Sequence, residues 1–357
     1  MTSTEVTLRE VDGDLINHWY ILCLSRELPQ DKPIRRILYE MPYVAYRDKE
    51  GQAVVMLDRC PHRGVRLSEG RCQNGELACP YHGWKFGKNG KLTQVPSDGD
   101  HSEPAIDWSG ETIPSFEQEG VLWVWPGNIE KMSPRPTWNF PEYQSPGWQH
   151  YFMITDFSNE VTYLAENFMD VPHTVFVHDK WFRRRRTIKV PIQLEVGKGR
   201  VKVTYKSTDD SIGFMKALLN PKAKKMIHTD EFIFPNITRV DYIFGSEQFI
   251  INSQCSPVGR GETRVYTWIC YKLPLVGWWL KPFFRFYTRQ VIQQDVEIMA
   301  NHGKNLRRFP DWFRGEKYKN TAADELHLAI DRMRALGVKD RNSVAEMNYT
   351  REREFWI

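Results

Sequence analysis

Short apolar runs separated by turn residues fill the first third of the chain. The runs WYILCL (19–24), AVVMLD (53–58) and GVLWVW (120–125) alternate with polar turns such as DKEG at 48–51. Apolar runs of this length, bounded by Gly, Asn and Asp, are typical of β-strands. The pattern therefore predicts an all-β region that ends near residue 127.

The pattern changes after a proline-rich stretch at 126–146, which indicates an extended boundary between domains. Beyond it, the spacing of apolar residues predicts six strands between residues 192 and 271. It also predicts three helices, over 159–171, 281–305 and 322–336, before a polar end. We therefore expect an α+β protein with two domains, residues 1–135 and residues 136–357.

Charge and composition narrow the class of protein. Forty-nine Lys and Arg against 45 Asp and Glu leave a net charge of +4, too small to indicate nucleic acid as the main partner. No apolar run approaches the ~20 residues that cross a bilayer, and residues 1–13 lack the apolar stretch that a signal peptide needs. We therefore expect a cytoplasmic protein whose six cysteines are thiols or metal ligands rather than disulfides. Cys23, Cys255 and Cys270 lie in apolar runs and are predicted to be packed thiols.

Two cysteine–histidine pairs form the first candidate site. Cys60 and His62 are followed by Cys79 and His82 in the pattern C-x-H-x16-C-x2-H, with both pairs at predicted hairpin tips. Three interpretations compete: chance surface residues, structural zinc and a Rieske 2Fe-2S centre. Common zinc fingers place both cysteines before both histidines, whereas here they alternate. A Rieske centre fits the alternation, with the cysteines on one iron and the histidines on the other. Cys72 falls between the pairs and is predicted to be a loop thiol.

The second candidate site is the pattern N-x2-D-x2-H-x4-H, formed by Asn167, Asp170, His173 and His178. On a regular helix, an offset of five residues turns about 140°, so the two histidines would not share a face. Pro172 should disturb the helix at this point and let both rings converge. Taken alone, the pattern does not decide between a metal site and ordinary core or surface histidines.

A carboxylate on the long predicted helix changes that balance. Phe284, Val291 and Ile298 recur every seven residues and predict its buried stripe, on which Asp295 also falls. A buried carboxylate must be protonated, paired or bound to metal, so a structural salt bridge stays open as the simpler interpretation. The functional interpretation is a facial triad of two histidines and Asp295, which leaves positions open for dioxygen and substrate. Glu297 is the second choice of ligand.

The segments CPHRG (60–64) and CPYHGW (79–84) resemble the Rieske domain of the α (oxygenase) subunits of Rieske non-heme iron oxygenases. The resemblance spans nearly the whole chain and is strong over 60–84 and 166–178. It implies an N-terminal all-β Rieske domain and a C-terminal helix-grip domain, in which an antiparallel sheet wraps a long helix. It also implies cofactors: a Rieske 2Fe-2S cluster and a mononuclear Fe(II).

The resemblance extends to individual residues of the second pattern. It implies that His173, His178 and Asp295 hold the mononuclear iron. Asp170 matches a carboxylate that links an iron histidine to a Rieske histidine of the neighbouring subunit in a head-to-tail homotrimer. Asn167 matches a residue near the iron whose role varies within the family.

The activity implied is an oxygenase that uses O2 and external electrons to hydroxylate or oxidatively dealkylate an apolar or aromatic small molecule, with monooxygenation favoured over dihydroxylation. The chain has no G-x-G-x-x-G after a strand, so a separate NAD(P)H-dependent reductase, with or without a ferredoxin, is implied. The alternatives are a Rieske electron-transfer protein without oxygenase activity and a zinc-stabilised binding protein.

Three weaker signals concern surfaces. The basic run Arg183–Arg186 is more typical of a solvated loop than of a docking site for an acidic reductase. The apolar stretch Leu273–Phe284 has basic neighbours and suits membrane contact, although core packing is the favoured interpretation. The stretch 207–228 interrupts the strand pattern, which indicates a lid over the active site.

Overall fold

The computed structural model describes most of the 357-residue chain: residues 7–99, 104, 108–136, 138–140, 142–179, 188–206, 220, 224–273, 279–309 and 318–356. The run Arg183–Arg186, most of the predicted lid and residues 274–278 lie outside these ranges. The chain divides into two compact units, Met1–Val11 with Ile16–Phe140, and Asp12–Leu15 with Pro141–Ile357. The domain boundary at 135/136 stays a prediction.

The first unit is built from three antiparallel sheets, after a short helix α1 (Leu8–Asp12). Its strands are β1 (Tyr20–Leu24), β2 (Ile34–Leu38), β3 (Met41–Arg47), β4 (Ala53–Leu57), β5 (Arg71–Gln73), β6 (Glu76–Ala78), β7 (Lys85–Phe86), β8 (Leu92–Gln94), β9 (Ser115–Gln118) and β10 (Val121–Val124). The strand orders are β1-β10-β9, β2-β3-β4 and β5-β6-β7-β8. The predicted all-β region is therefore confirmed.

Cys72 is a strand residue, so its prediction as a loop thiol is wrong. Residues 71–78 form a hairpin in which Asn74 and Gly75 have φ of 53° and 75°. Two successive residues with positive φ are the requirement of the tight hairpin turn that Asn-Gly favours. The Cys72 side chain is buried in the core beneath the cysteine–histidine loops. Cys23, Cys255 and Cys270 are fully buried, as predicted.

The second unit contains one eight-stranded antiparallel sheet, ordered β11-β17-β16-β15-β14-β13-β12-β18. Its strands are β11 (Gln149–Phe157), β12 (Lys189–Gly197), β13 (Arg200–Tyr205), β14 (Ile227–Ile233), β15 (Ile237–Phe244), β16 (Glu247–Gly259), β17 (Glu262–Lys272) and β18 (Tyr349–Trp356). The pattern of apolar residues predicts the six middle strands but neither edge strand. In β18 the half-buried positions include Arg351 and Arg353, whose side chains form ion pairs with Glu325. The alternation of inward and outward residues in this strand is therefore not visible in the sequence as an alternation of apolar and polar residues.

Among the residues that the structure describes, four helices accompany the sheet: α2 (Val161–Met169), α3 (Thr174–Val177), α4 (Lys281–Arg308) and α5 (Glu325–Lys339). Apolar residues of α2 and α5 pack together with those of β12, β13 and β14. The first turns of α4 pack with β11, β15, β16 and β17, where Phe284 and Tyr287 meet Tyr151 and Tyr271. The antiparallel sheet with a long helix is the architecture that the resemblance implied.

The buried stripe of α4 follows a different line from the predicted one. Phe284 and Asp295 are buried, but Val291 is only half-buried and Ile298 is 43% exposed, so the prediction for Ile298 is wrong. Met299 and Gly303 are buried instead. In a straight helix, side chains seven residues apart differ in direction by about 20°, so a strict seven-residue repeat gradually leaves the buried side. In the second half of α4 the buried positions Asp295, Met299 and Gly303 therefore follow one another in steps of four residues.

No helix within the described residues is long and apolar enough to cross a membrane.

Gly303 sets how closely α4 approaches the segment after β11. A Cβ at this position would lie 2.1 Å from the backbone oxygen of Ser158, and the next residue, Asn159, donates a hydrogen bond of 2.9 Å to the Met299 carbonyl. This contact holds the C-terminal half of the helix that carries Asp295.

Gly303→Ala should therefore destabilise the protein. The higher helix propensity of Ala favours the variant by about 1 kcal/mol, but overpacking against backbone typically costs about 1–3 kcal/mol. Because the added Cβ would meet a backbone oxygen at 2.1 Å, the upper end of that cost applies, and we expect a net loss of about 2 kcal/mol in the free energy of unfolding, measured by urea denaturation. Lys304→Ala, at the exposed next position, is the control and should change stability by less than about 0.5 kcal/mol. Equal stabilities for the two variants would contradict the close contact.

Candidate metal centres

The two cysteine–histidine pairs lie in two loops of different origin. Cys60 and His62 follow β4 in the connection from one sheet to the next, whereas Cys79 and His82 form the loop of the β6–β7 hairpin. Only the second pair is therefore at a hairpin tip, and the prediction for the first is wrong. The first loop is closed at its base by buried Asp58, whose carboxylate accepts hydrogen bonds of 2.7 Å from both the N–H and the hydroxyl of Ser68.

The two loops share one backbone conformation. In each, the cysteine N–H donates to the carbonyl five residues later, at 2.8 Å in both loops. The cysteine carbonyl accepts from the N–H of the glycine four residues later, at 2.9 and 3.1 Å. These glycines, Gly64 and Gly83, have φ of 73° and 72°, a region that glycine adopts without steric cost. The shared C-P-x-x-G sequence is thus explained by a shared turn.

The side chains of the loops gather on one side of a small core. Cys60 and Cys79 are buried, and the rings of His62 and His82 lie 4.7 Å apart, centroid to centroid. His62 also stacks on Trp84, with parallel rings 4.6 Å apart. Its Nδ1 atom is buried and has no hydrogen-bond partner among the described residues. Two buried thiols beside an unpartnered imidazole nitrogen fit a cluster bound through sulfur on one side and nitrogen on the other.

The protonation states of this group suit metal binding. Burial raises the pKa of Cys60 to about 11, so the thiol is protonated until a metal displaces the proton. Desolvation, helped by the neighbouring His82 and Arg63, lowers the pKa of His62 below its ordinary value. A neutral imidazole is the form that ligates metal.

The second candidate site is built on an interrupted helix. Helix α2 ends at Met169, three residues before Pro172, because proline disfavours helical conformation in the residue that precedes it. The chain then forms the single turn α3, with His173 at its N-terminal boundary and His178 at its C-terminal boundary. The two rings converge to 5.2 Å between centroids, as the sequence analysis predicted.

Both histidines point at one oxygen of Asp295. The Nε2 atoms of His173 and His178 lie 3.5 and 3.2 Å from Asp295 Oδ1, and the three ligand atoms all lie within 4.8 Å of one another. His178 Nδ1 is 2.9 Å from Gln294 Oε1. Since an amide oxygen only accepts, Nδ1–H is the donor and Nε2 keeps its lone pair for a metal. Asn167 donates to Asp295 Oδ1 at 3.1 Å.

Asp170 lies on the other side of His173. Its Oδ2 accepts the backbone N–H of His173 at 3.2 Å and lies 3.4 Å from His173 Nδ1, without hydrogen-bond alignment to that ring atom. Its Oδ1 lies 3.8 Å from Nε2 of His327, on α5. The carboxylate is thus placed between two imidazoles.

The electrostatics of the site favour a bound cation. Burial opposes charge on His173 and on Asp295, but the attraction between opposite charges outweighs it. The carboxylates of Asp170 and Asp295 raise the pKa of His173 to about 9, and the two imidazoles lower the pKa of Asp295 to about 2. His173 therefore carries a proton at neutral pH when no metal is present, and an incoming metal ion takes the place of that proton.

Glu297 does not belong to this group. Its side chain is exposed and accepts a hydrogen bond of 3.5 Å from Gln293, one turn earlier on α4. Of the two carboxylates considered from the sequence, only Asp295 lies beside the histidines. The ligand roles of His173, His178 and Asp295, and those of the four cluster residues, stay predictions.

A cavity of about 130 Å³ opens beside the three converging side chains. Helices α2, α3 and α4 supply one wall, and the inner face of β14–β17 supplies the other. The sheet residues of the wall are Asp230, Thr238, Val240, Tyr242, Phe249, Ile251, Ser253, Thr267 and Ile269. Most of the lining is apolar, so the space suits an apolar ligand.

Asp230 is the one carboxylate among these sheet residues of the wall. Across the sheet it lies in one row with Val203, Val240, Ile251 and Ile269, all apolar. Its carboxylate accepts the Tyr205 hydroxyl at 2.7 Å and lies 3.0 Å from His228 Nε2. The His228 ring is in turn stacked between the rings of Tyr205 and Tyr242. A buried carboxylate with two partners is thereby held rigidly at the cavity wall.

Sequence reasoning missed these lining residues, together with Gln294 and His327 as partners of site residues. Gln294 had one available signal, its position next to Asp295. His327 lies more than 150 residues from Asp170 in the sequence and carries no local signal.

Two family models match the chain. Residues 18–117 match the Rieske [2Fe-2S] domain, and residues 159–347 match the vanillate O-demethylase oxygenase C-terminal domain. The second model alone covers more than half of the chain. The predicted cofactors, a Rieske cluster and a mononuclear iron, are those of this group of oxygenases.

Individual relatives agree with the family models. The chain is 36% identical to protein TIC 55, chloroplastic, of Pisum sativum, over 84% of this chain and 54% of that protein. It is 30% identical to the dicamba O-demethylase oxygenase component of Stenotrophomonas maltophilia, over 53% of this chain and 55% of that protein. The chain thus spans about half the length of these curated relatives.

A solved structure shares the fold. Dicamba monooxygenase bound to 3,6 dichlorosalicylic acid superposes with a TM-score of 0.79 at 19% identity, over 91% of this chain and 98% of that chain. The predicted fold class is therefore confirmed.

Asp295→Ala should remove the mononuclear iron and leave the Rieske cluster in place. Removing a residue that only supports a metal ligand typically weakens metal binding by about 10–100-fold. Asp295 is the one carboxylate among the three predicted ligands, so its removal should weaken iron binding by well over about 10-fold. The measurement is metal content per chain together with the visible spectrum of the cluster. Glu297→Ala, two residues along the same helix, is the matched control and should keep full iron. Iron loss in Glu297→Ala alone would mean that the other carboxylate is the ligand.

Proposed function

Since the chain belongs to the Rieske non-heme iron oxygenases with a vanillate O-demethylase type C-terminal domain, we propose that it uses O2 and externally supplied electrons to oxidise an apolar or aromatic small molecule. The reaction is hydroxylation or oxidative dealkylation. One observation carries the proposal: His173, His178 and Asp295 converge at the wall of an apolar cavity.

Two sets of residues would hold the cofactors. Cys60, Cys79, His62 and His82 would bind the 2Fe-2S cluster, and His173, His178 and Asp295 would bind the iron. When bound, these groups supply one-electron storage and a ferrous ion at which dioxygen is activated. Two histidines and one carboxylate leave coordination positions open, and here the cavity lies beside them.

The residues around the iron ligands keep them in position. Gln294 holds His178 in the tautomer whose Nε2 faces Asp295, and Asn167 donates to the oxygen of Asp295 that both histidines face. Such partners fix ligand orientation and typically change metal affinity or activity by about 10–100-fold when they are removed. The apolar lining keeps water away from the reacting substrate, which limits side reactions.

The cavity supports a substrate of about one aromatic ring. Its 130 Å³ compares with the ~150 Å³ that accommodates a benzene molecule in an engineered protein cavity. The named O-demethylases among the relatives and families support monooxygenation over dihydroxylation. Asp230 supplies a fixed acceptor on the sheet wall, so it favours a substrate whose hydrogen-bond donor faces away from the iron ligands.

Electron supply and assembly complete the proposal. A separate NAD(P)H-dependent reductase, with or without a ferredoxin, delivers electrons to the Rieske cluster. A head-to-tail homotrimer brings the cluster of one subunit to Asp170 of the next. The carboxylate of Asp170 already contacts His173, and an open cavity of about 1140 Å³ lies beside its other oxygen. The cytoplasmic location stays a prediction.

The competing function is electron transfer without oxygenase activity. A carrier needs the cysteine–histidine loops, but it has no use for the triad or for the cavity. The two functions therefore separate on whether the second site does chemistry.

The test is single turnover of the holoprotein that carries both metals. After chemical reduction and addition of O2, we expect O2 consumption stimulated by methoxylated and hydroxylated single-ring aromatics, with release of formaldehyde or a hydroxylated product. His173→Ala should keep the Rieske spectrum and its reducibility but form no product. If wild type and His173→Ala behave alike across the panel, the electron-transfer function is the correct one.

Asp170→Asn should keep both metals and slow the reaction. The amide keeps the shape but loses the negative charge that attracts the imidazoles of His173 and His327, so we expect single-turnover oxidation to fall by at least about 10-fold. The measurement is the decay of the reduced-cluster absorbance after mixing with O2 and substrate. Asp324→Asn is the control, because Asp324 also faces His327, at 3.7 Å, without contacting His173. An unimpaired Asp170→Asn would argue against a bridging role.

A further inference from the structure

An exposed aromatic face covers the start of α4. Trp279, Phe283 and Phe286 are 68%, 37% and 56% exposed, whereas most large apolar residues of the described chain are buried. Phe283 and Phe286 are three residues apart on one side of the helix, and Trp279 lies in the turn just before it. The adjoining side, with Phe284 and Tyr287, packs against the sheet. We call these three residues the aromatic face.

Basic residues border the aromatic face. Lys281, Arg285 and Arg289 lie in the same two turns, and Arg285 and Arg289 are exposed. Residues 263–294 contain no Asp or Glu. Within the part of the chain that the structure describes, none of these three cations forms an ion pair. The exposed side of these turns is therefore aromatic and positively charged.

This chemistry selects one kind of occupant. Aromatic side chains with an apolar body, Trp above all, together with Lys and Arg match the boundary between lipid headgroups and acyl chains. Anionic lipids attract a basic surface by about 1 kcal/mol for each Lys or Arg near it. A symmetric contact between two copies would place these cations against one another, because the same patch faces itself across a two-fold axis.

We propose that the aromatic face is a membrane-docking surface that seats the protein on an anionic bilayer. Trp279, Phe283 and Phe286 enter the headgroup region, and the three basic residues contact lipid phosphates. The aromatic face attaches to the surface of the bilayer and does not cross it.

The face also lies next to the substrate cavity. The ring of Phe283 stacks on that of Tyr287, with centroids 6.2 Å apart, and Tyr287 lines the cavity on the other side of the helix. Docking would therefore bring the cavity close to molecules dissolved in the bilayer. This consequence rests on the proposed function, whereas docking itself does not.

The experiment is co-sedimentation of the holoprotein with two kinds of vesicle, pure phosphatidylcholine and phosphatidylcholine with about one third phosphatidylglycerol. We expect binding to the anionic vesicles that weakens with added salt, and little binding to the neutral ones. The double variant Trp279→Ser/Phe286→Ser and the double variant Arg285→Glu/Arg289→Glu should each bind at least about 10-fold more weakly. Trp356→Ser is the matched control, since Trp356 is 63% exposed on β18, and it should bind like wild type.

The measured quantity is vesicle binding and not enzyme activity. The visible spectrum of the cluster and the circular dichroism check that each variant is folded. Absence of wild-type binding to anionic vesicles, or equal binding by the double variants, would overturn the proposal. If wild type does not bind vesicles, and light scattering shows that the double variants differ from wild type in subunit number, the aromatic face is a subunit contact instead. Turnover in solution without vesicle binding would leave the proposed function intact while rejecting the docking surface.

Discussion

The second unit depends on the burial of one carboxylate. Asp295 lies on the inner side of the long helix α4, where a charge without a partner would cost several kcal/mol. Its partners come from a separate stretch of chain, at the two ends of the single turn α3. Three features bring Asp295 and the two histidines together: the end of α2 before Pro172, the turn α3 that follows, and the close contact of α4 at Gly303. The attraction between Asp295 and the histidines compensates the cost of burying the carboxylate, and the same negative charge favours binding of a cation.

The two candidate centres achieve convergence by different means. In the first unit, two short loops with the same backbone hydrogen bonds and the same glycine requirement bring their side chains together from separate sheet elements. In the second unit, a break in one helix aligns two histidines with a carboxylate from another. The first solution depends on local turns, and the second depends on tertiary packing.

Helix α4 joins the chemistry of the second unit to its surface. One side of its first turns supplies Tyr287, Thr288 and Val291 to the cavity wall, and the other side carries the aromatic face. An aromatic stack of Phe283 on Tyr287 connects the two sides. The same helix then supplies Asp295 three turns later. The proposed docking face, part of the cavity wall and the carboxylate of the candidate metal centre thus lie along a single helix.

The sequence by itself determined the cysteine–histidine loops, the convergence of the two histidines around Pro172 and the inward position of Asp295 rather than Glu297, because each rests on residue types at fixed short spacing or on helical period. The same reasoning was wrong about Ile298, since a seven-residue repeat does not follow a straight helix, and it missed β18, whose inward positions are partly arginine. Only the tertiary structure decided the cavity and the partners of the site. Asp230, Gln294 and His327 come from elements far apart in the chain, and nothing local in a sequence records which strands and helices will face one another.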